Sequence, residues 1–155
     1  MIIKSYEILK NPSNFEQYNL YLLYGENYGL KNDIKNKIIK NNTKEDKNME
    51  ILNFYENDIN DDVENFYNSI YSGSLFGNKK LININNVTDK IFKQVEDIIA
   101  KFPKNTILIL FSNILEKKSK LRNFFETNTK IICIPCYLDS NNDLEAILKK
   151  EIKKN

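Results

Sequence analysis

The 155-residue sequence predicts an α/β fold, a parallel five-stranded sheet with helices on both faces. Three observations carry this expectation. Short apolar runs alternate with segments of helical periodicity along most of the chain. One run, Thr106-Ile107-Leu108-Ile109-Leu110-Phe111, is continuously apolar after its threonine, as a central strand covered on both faces must be. Repeated strand–helix–strand units imply right-handed crossovers, which leave successive strands parallel.

The elements follow in order. A first strand is expected at Leu20–Tyr24, then a glycine-bearing turn, then a helix over 30–40 with Ile34, Ile38 and Ile39 inward. The second strand is expected at Glu50–Tyr55. A helix over 62–72 follows, with Val63, Phe66, Tyr67, Ile70 and Tyr71 on one face, Asp61 as N-cap and Gly73 at its end. The third strand, 81–84, leads to a helix over 89–101. Thr88 caps that helix, Ile91, Val95, Ile98 and Ile99 line it with Phe102 just beyond, and Pro103 stops it. After the fourth strand at Thr106–Phe111, a helix over 117–126 uses Leu121, Phe124 and Phe125, and a fifth strand is expected over 130–134. No internal repeat interrupts this order.

The chain ends differently. Residues 138–142 read as a polar connection, and 143–153 form an amphipathic pattern with Leu144, Ile147, Leu148 and Ile152. No strand follows it. It reads as the start of a second domain over 139–155, after a first over 1–138, or as a terminal helix docked on the sheet.

Composition excludes several classes. Hydrophobic residues at 41% and charged residues at 28% are those of a folded globular domain, not a disordered chain. No apolar run nears the ~20 residues that cross a bilayer, and the start lacks the regions of a signal peptide. A cytoplasmic protein without membrane contact is expected. A net charge of +2 is too small to argue for nucleic acid. The 22 lysines stand beside a single arginine, Arg122, although arginine is the usual bidentate reader of phosphate and guanine. The 25 asparagines and 22 isoleucines suggest an AT-biased genome, so lysine and asparagine can fill surface positions without a functional reason. The absence of histidine removes histidine acid–base catalysis and histidine metal sites.

Cys133-Ile134-Pro135-Cys136 has the spacing of a redox pair or half a zinc site. A redox pair should open a helix, whereas Cys133 lies within an apolar run. A zinc site needs further ligands, and the chain has no other cysteine or histidine. A buried strand cysteine and a turn cysteine are expected, with no metal.

The turn after the first strand invites comparison with a phosphate-binding loop, G-x-x-x-x-G-K-[ST]. Such a loop cradles phosphates in backbone amides at a helix N-terminus. Here Gly25 and Gly29 stand one residue too close, Leu30 separates Gly29 from Lys31, and Asn32 replaces the metal-holding hydroxyl. Glu26 puts a carboxylate where phosphates would lie. The third strand runs into Asn85-Asn86, not the acidic pair that binds metal and activates water. Ser112-Asn113 puts polar groups at a sheet edge where ligands often bind. Neither Mg-ATP binding nor a catalytic residue is expected, and no cofactor. The competing expectation is a nucleotide-binding enzyme, an ATPase or kinase, with an unusual phosphate loop.

A second stretch, "YSGSLFGNKKLININN" over 71–86, brackets Leu75 and Phe76 with glycines in a connection. The pair is either tucked into the core or offered to a partner. Burying two such side chains yields roughly 1.5–3 kcal/mol each, and apolar anchors of this kind dominate many interfaces.

Four segments together resemble the N-terminal domain of the delta subunit of bacterial DNA polymerase III, a clamp-loader subunit. They are "YLLYGENYGLKNDI", "SLFGNKKLINI", "TILILFSNILEKKSKLRNFFE" and "CIPCYLDSNNDLEAI", in an order covering nearly the whole chain. The resemblance implies a divergent AAA+ fold with a degenerate nucleotide site, followed by a helical lid domain and a collar domain. It implies a subunit of a DNA-directed DNA polymerase complex, a nucleotidyltransferase, that does no catalysis itself. It also implies that Leu75 and Phe76, with Ser74 before them, insert into the sliding clamp (the beta subunit) and open its ring. Other clamp-loader subunits are implied partners, and ATP hydrolysis would be theirs. Direct DNA contact is expected to be weak or indirect in so arginine-poor a domain, with lysines around 79–80, 117–120 and 149–154 as its candidates.

Overall fold

The computed structural model of the chain describes residues 1–44, 47–74 and 79–138. Five strands form one sheet in the order β2-β3-β4-β1-β5, with every neighbouring pair parallel. They are β1 (Leu20–Tyr24), β2 (Glu50–Tyr55), β3 (Lys80–Asn85), β4 (Thr106–Phe111) and β5 (Ile132–Pro135). The helices are α1 (Ser5–Lys10), α2 (Tyr28–Thr43), α3 (Glu56–Asp61), α4 (Val63–Tyr71), α5 (Phe92–Ile99) and α6 (Lys120–Thr127), with short 3-10 turns at Pro12–Phe15 and Asp89–Ile91. Among the described residues no helix is long and apolar enough to cross a membrane.

The period-two alternation of strand side chains divides the interior into two cores. Leu20, Leu22 and Tyr24 of β1, Ile82 and Ile84 of β3, and Leu108 and Leu110 of β4 face α3 to α6. Tyr21, Leu23, Leu81, Ile107 and Ile109 face α1 and α2 instead. β1 and β4 are therefore buried on both sides, which is why their sequences read as unbroken apolar runs. The edge strand β2 alternates half-buried and exposed positions.

The structure departs from the sequence expectations at element ends. α1 was not expected: it has one turn and a half, only Ile8 is buried, and too few residues carry a periodic signal. It is held by Glu7, which accepts from the Lys4 amide at 2.8 Å. The chain ahead of it lies along the outer edge of β5, with Ile3 N donating to Cys133 O at 3.0 Å. Asp61 is not the cap of α4. It ends the separate short helix α3, and Asp62 accepts from Asn65 N at 3.1 Å in its place. α6 starts at Lys120 rather than 117, because Ser119 accepts from Arg122 N at 3.2 Å. Asp89 strengthens that end, accepting from Ser119 Oγ at 2.6 Å, Lys120 N at 3.1 Å and Leu121 N at 3.2 Å. Burial opposes its charge, yet these hydrogen bonds outweigh burial and hold the carboxyl below its ordinary range. The amphipathic pattern over 143–153, with the second domain expected over 139–155, lies outside the described residues.

Phe66 of α4 is fully buried and meets the ring of Phe54 edge-on at 5.9 Å. Phe66→Ala leaves a cavity between α4 and the sheet, so an expected loss of about 3–5 kcal/mol should appear in urea unfolding. A loss below ~1 kcal/mol would show that α4 does not depend on this contact.

Candidate functional site

Two regions carry the residues singled out by the sequence. The first is the turn between β1 and α2, at the carboxyl edge of the sheet. Asn27 caps α2 by accepting from Leu30 N at 3.1 Å, so the helix already begins at Tyr28. Gly29 thus belongs to the first helical turn, not to the loop, and only Gly25 to Asn27 connect strand and helix. Gly25 has φ +121°, and a Cβ there would lie 2.1 Å from the carbonyl oxygen of Cys136. Glycine is required on both counts.

Several donors of this turn are engaged by the protein. Gly25 N donates to Asn113 O at 3.0 Å, Asn27 N to Cys136 O at 2.9 Å, Tyr28 N to Glu26 O at 3.1 Å and Lys31 N to Asn27 O at 3.1 Å. Glu26 turns one carboxylate oxygen to Leu138 N at 3.0 Å. Its other oxygen is buried without a hydrogen-bond partner among the described residues.

Lys31 is 3% exposed, and its ammonium donates to Ser112 O at 2.9 Å while lying 4.5 Å from the centre of the Tyr28 ring. Burial lowers its pKa from the ordinary lysine value, against smaller opposing effects of Cys136 and Glu26. Lys31 and Asn32 share a cavity of about 170 Å³ with Tyr28, Lys35, Asn85 and Asn86. Of the four residues of the phosphate-loop comparison, the fold brings these two together. Gly25 sits beside β5, and Gly29 is helical. Lys35, one turn beyond Lys31, was not singled out by the sequence because it looks like any surface lysine. Ser112 has a supporting part: its hydroxyl donates to Val87 O at 2.8 Å and its amide to Leu23 O at 2.9 Å.

The second region is the connection from α4 to β3. Leu75 and Phe76 lie outside the described residues, but the two ends of their loop are described. α4 stops at Tyr71, and Ser72 is extended while its amide still donates to Asn68 O at 2.8 Å. The sequence counted Lys80 among candidate surface lysines, and this is corrected. It is 2% exposed, and its ammonium donates to Ser72 O at 2.5 Å, to Ser72 Oγ at 3.3 Å and to Ser69 O. A cation placed on the last carbonyls of a helix complements both their unpaired acceptors and the helix dipole. Burial nonetheless lowers its pKa. This contact ties the residue where the loop leaves α4 to the residue where it enters β3. Ser74 is half-buried at the rim of a cavity of about 350 Å³, beside Tyr71, Gly73, Lys104 and Asn105.

The remaining candidates are quickly placed. Lys117, Lys118 and Lys120 are exposed, and Lys118 pairs with Glu116 at 3.3 Å. Lysines over 149–154 lie outside the described residues. Cys133 within β5 and Cys136 just beyond it are free thiols, fully buried, and burial pushes each up to about 12. No group of three or more Cys, Asp or Glu side chains among the described residues could hold a metal ion.

Lys31 generates a prediction. Its folded pKa lies below the unfolded 10.5, so the unfolded chain binds the proton more tightly. Stability from this group therefore rises as pH climbs from the folded value towards 10.5. Lys31→Met keeps the stem and removes the ammonium. Urea unfolding should find the variant at least as stable as wild type at pH 7 and without that alkaline rise. Strong destabilisation at pH 7 would mean that the bond to Ser112 and the Tyr28 contact outweigh burial.

Comparisons with known proteins bear on the family and the fold. The model of the family "DNA polymerase III, delta subunit" matches residues 21–135. A search of curated proteins finds no match. Among solved structures, the Bacillus subtilis DNA clamp loader delta protein (YqeN) superposes with a TM-score of 0.68 at 14% sequence identity. That superposition covers 92% of this chain and 45% of the other, so the chain spans less than half of that protein's length. The shared fold is an α/β domain, here with five parallel strands. With the family model spanning most of its length, the chain belongs to the DNA polymerase III delta subunit family.

Proposed function

We propose that this chain is the clamp-binding part of a clamp-loader delta subunit, which binds the sliding clamp and opens its ring for loading onto primed DNA. Its partners are the clamp and the other clamp-loader subunits, its location is the cytoplasm, and residues 139–155 begin a helical lid domain. The observation that carries the reading is the closed stem of the α4–β3 loop. Lys80 fastens Ser72 to the start of β3, so the described ends of the connection meet at one point. Such a stem fixes the two described ends of the connection that carries Leu75 and Phe76 in the sequence, and fixed ends lower the ordering cost of binding. A subunit shifts a ring from closed to open only by as much as it binds the open form better. An apolar wedge repacking a pocket near a ring interface meets that requirement without chemistry.

The alternative, a nucleotide-processing enzyme, finds less support. The turn after β1 has the amides of Gly25, Asn27 and Tyr28 on protein acceptors, a carboxylate, Glu26, within the turn, and side-chain amides where β3 ends. ATP hydrolysis is assigned to partner subunits. DNA contact by this domain is indirect or weak, since its one arginine is held by Glu126 at 2.6 Å and Leu115 O at 2.8 Å.

Leu75→Ala/Phe76→Ala should abolish retention of the organism's sliding clamp in a pull-down, with the melting temperature nearly unchanged. A large drop in melting temperature would return the pair to the core and sink the anchor reading. Calorimetric titration with Mg-ATP at millimolar concentration should give no binding heat, and a saturable heat would favour the enzyme reading.

A further inference from the structure

The turn after β1 meets the chain where it leaves β5, residue for residue. Sheet pairing ends at Tyr24 with Pro135, and beyond it Cys136, Tyr137 and Leu138 lead towards residues 139–155. Gly25 lies against the Cys136 carbonyl so closely that no Cβ fits. Asn27 N donates to that same oxygen at 2.9 Å, and Asn27 Nδ2 donates to Tyr137 O at 3.3 Å. Glu26 accepts from Leu138 N at 3.0 Å. Tyr137 also sets its ring edge-on to Tyr24 at 5.8 Å, and the other neighbour of Tyr24 is the Arg122 guanidinium at 5.1 Å.

Apolar burial anchors Cys136 of this exit but not the two residues after it, because Cys136 is fully buried whereas Tyr137 is 42% and Leu138 66% exposed. Its direction rests on polar contacts to three consecutive residues. Those residues occupy the position in which a phosphate loop would present amides to a ligand. Here the ligand is the chain itself, and the resident anion is the Glu26 carboxylate beside the N-terminus of α2, where the helix dipole favours negative charge.

We infer that Gly25–Asn27 is a latch for the exit segment 136–138, and that Tyr137 and Leu138 leave it in a local opening short of global unfolding. Cys136 N also donates to Tyr24 O at 2.6 Å, so the opening begins at Leu138 and Tyr137, and Cys136 is the last of the three to be released. Few buried apolar contacts and exposed hydrogen bonds are the marks of a segment that opens well below the free energy of global unfolding. This inference stands independently of the clamp-binding reading, since it concerns the opposite edge of the sheet.

The two cysteines make the latch observable. Cys136 lies directly under it, whereas Cys133 is within β5 and is uncovered only when the strand leaves the sheet. Alkylation of the full chain by N-ethylmaleimide, resolved by peptide mass spectrometry, should find Cys136 reacting faster than Cys133. Glu26→Ala should speed Cys136 about tenfold, the order expected for losing one charge-assisted hydrogen bond, and leave Cys133 unchanged. Leu138→Pro removes the donor of the same bond at an exposed position, so it carries the test if Glu26→Ala does not fold. It should give the same acceleration, and the double variant should add little to either single one. Equal acceleration of both thiols, no acceleration, or fully additive effects would overturn the latch.

Discussion

Burial of β1 and β4 on both faces is the constraint on which the rest of the structure depends. A strand with two apolar faces must have helices above and below it, and helices on both sides require crossovers longer than a hairpin. The resulting parallel sheet gathers all strand-to-helix turns at its carboxyl edge and all helix-to-strand turns at its amino edge. The two regions of interest are sorted by this geometry. The turn after β1 lies at one edge, and the loop entering β3 lies at the other. The loop proposed to meet a partner and the turn that holds residues 136–138 therefore lie at opposite edges of the sheet.

At the carboxyl edge, most of the polar groups named above pair with one another, one oxygen of Glu26 excepted. Lys31 reaches a strand-end carbonyl, Gly25 and Asn27 donate to Asn113 and Cys136, and Glu26 meets Leu138. Buried polar groups without partners cost about 1–3 kcal/mol each, so these internal hydrogen bonds stabilise the turn. Such closure turns a place built to receive something into a structural joint. Two buried lysines illustrate the same economy of contacts. Lys31 and Lys80 each sit on backbone carbonyls, and each has its pKa lowered by burial.

The single arginine also serves the fold. Its guanidinium bonds Glu126 and the Leu115 carbonyl and lies over Tyr24, thereby fastening α6 to the end of β1. Planar, delocalised and weakly hydrated, it suits a half-buried joint better than lysine does. Where composition shows only a scarcity of arginine, the fold shows where its one copy is spent. That placement bears on function, because it removes the residue best suited to phosphate recognition from the surface.

Much of this protein was legible in the sequence alone. The strands and the longer helices follow from periodicity, since burial of a face imposes its period on side-chain type whatever the neighbouring element is. α1 and α3 escaped because a helix of six residues has too few turns to show a period. Family membership was legible through the order of four segments. Asp62 rather than Asp61 as a cap, Gly29 inside a helix and Lys80 inside the protein were decided by the tertiary structure. Each depends on which neighbour comes within hydrogen-bond reach, and spacing along the chain does not specify that. The meeting of Gly25, Glu26 and Asn27 with residues 136–138 is the clearest case. Over a hundred positions separate the partners in sequence, and only the pairing of β5 beside β1 brings them together.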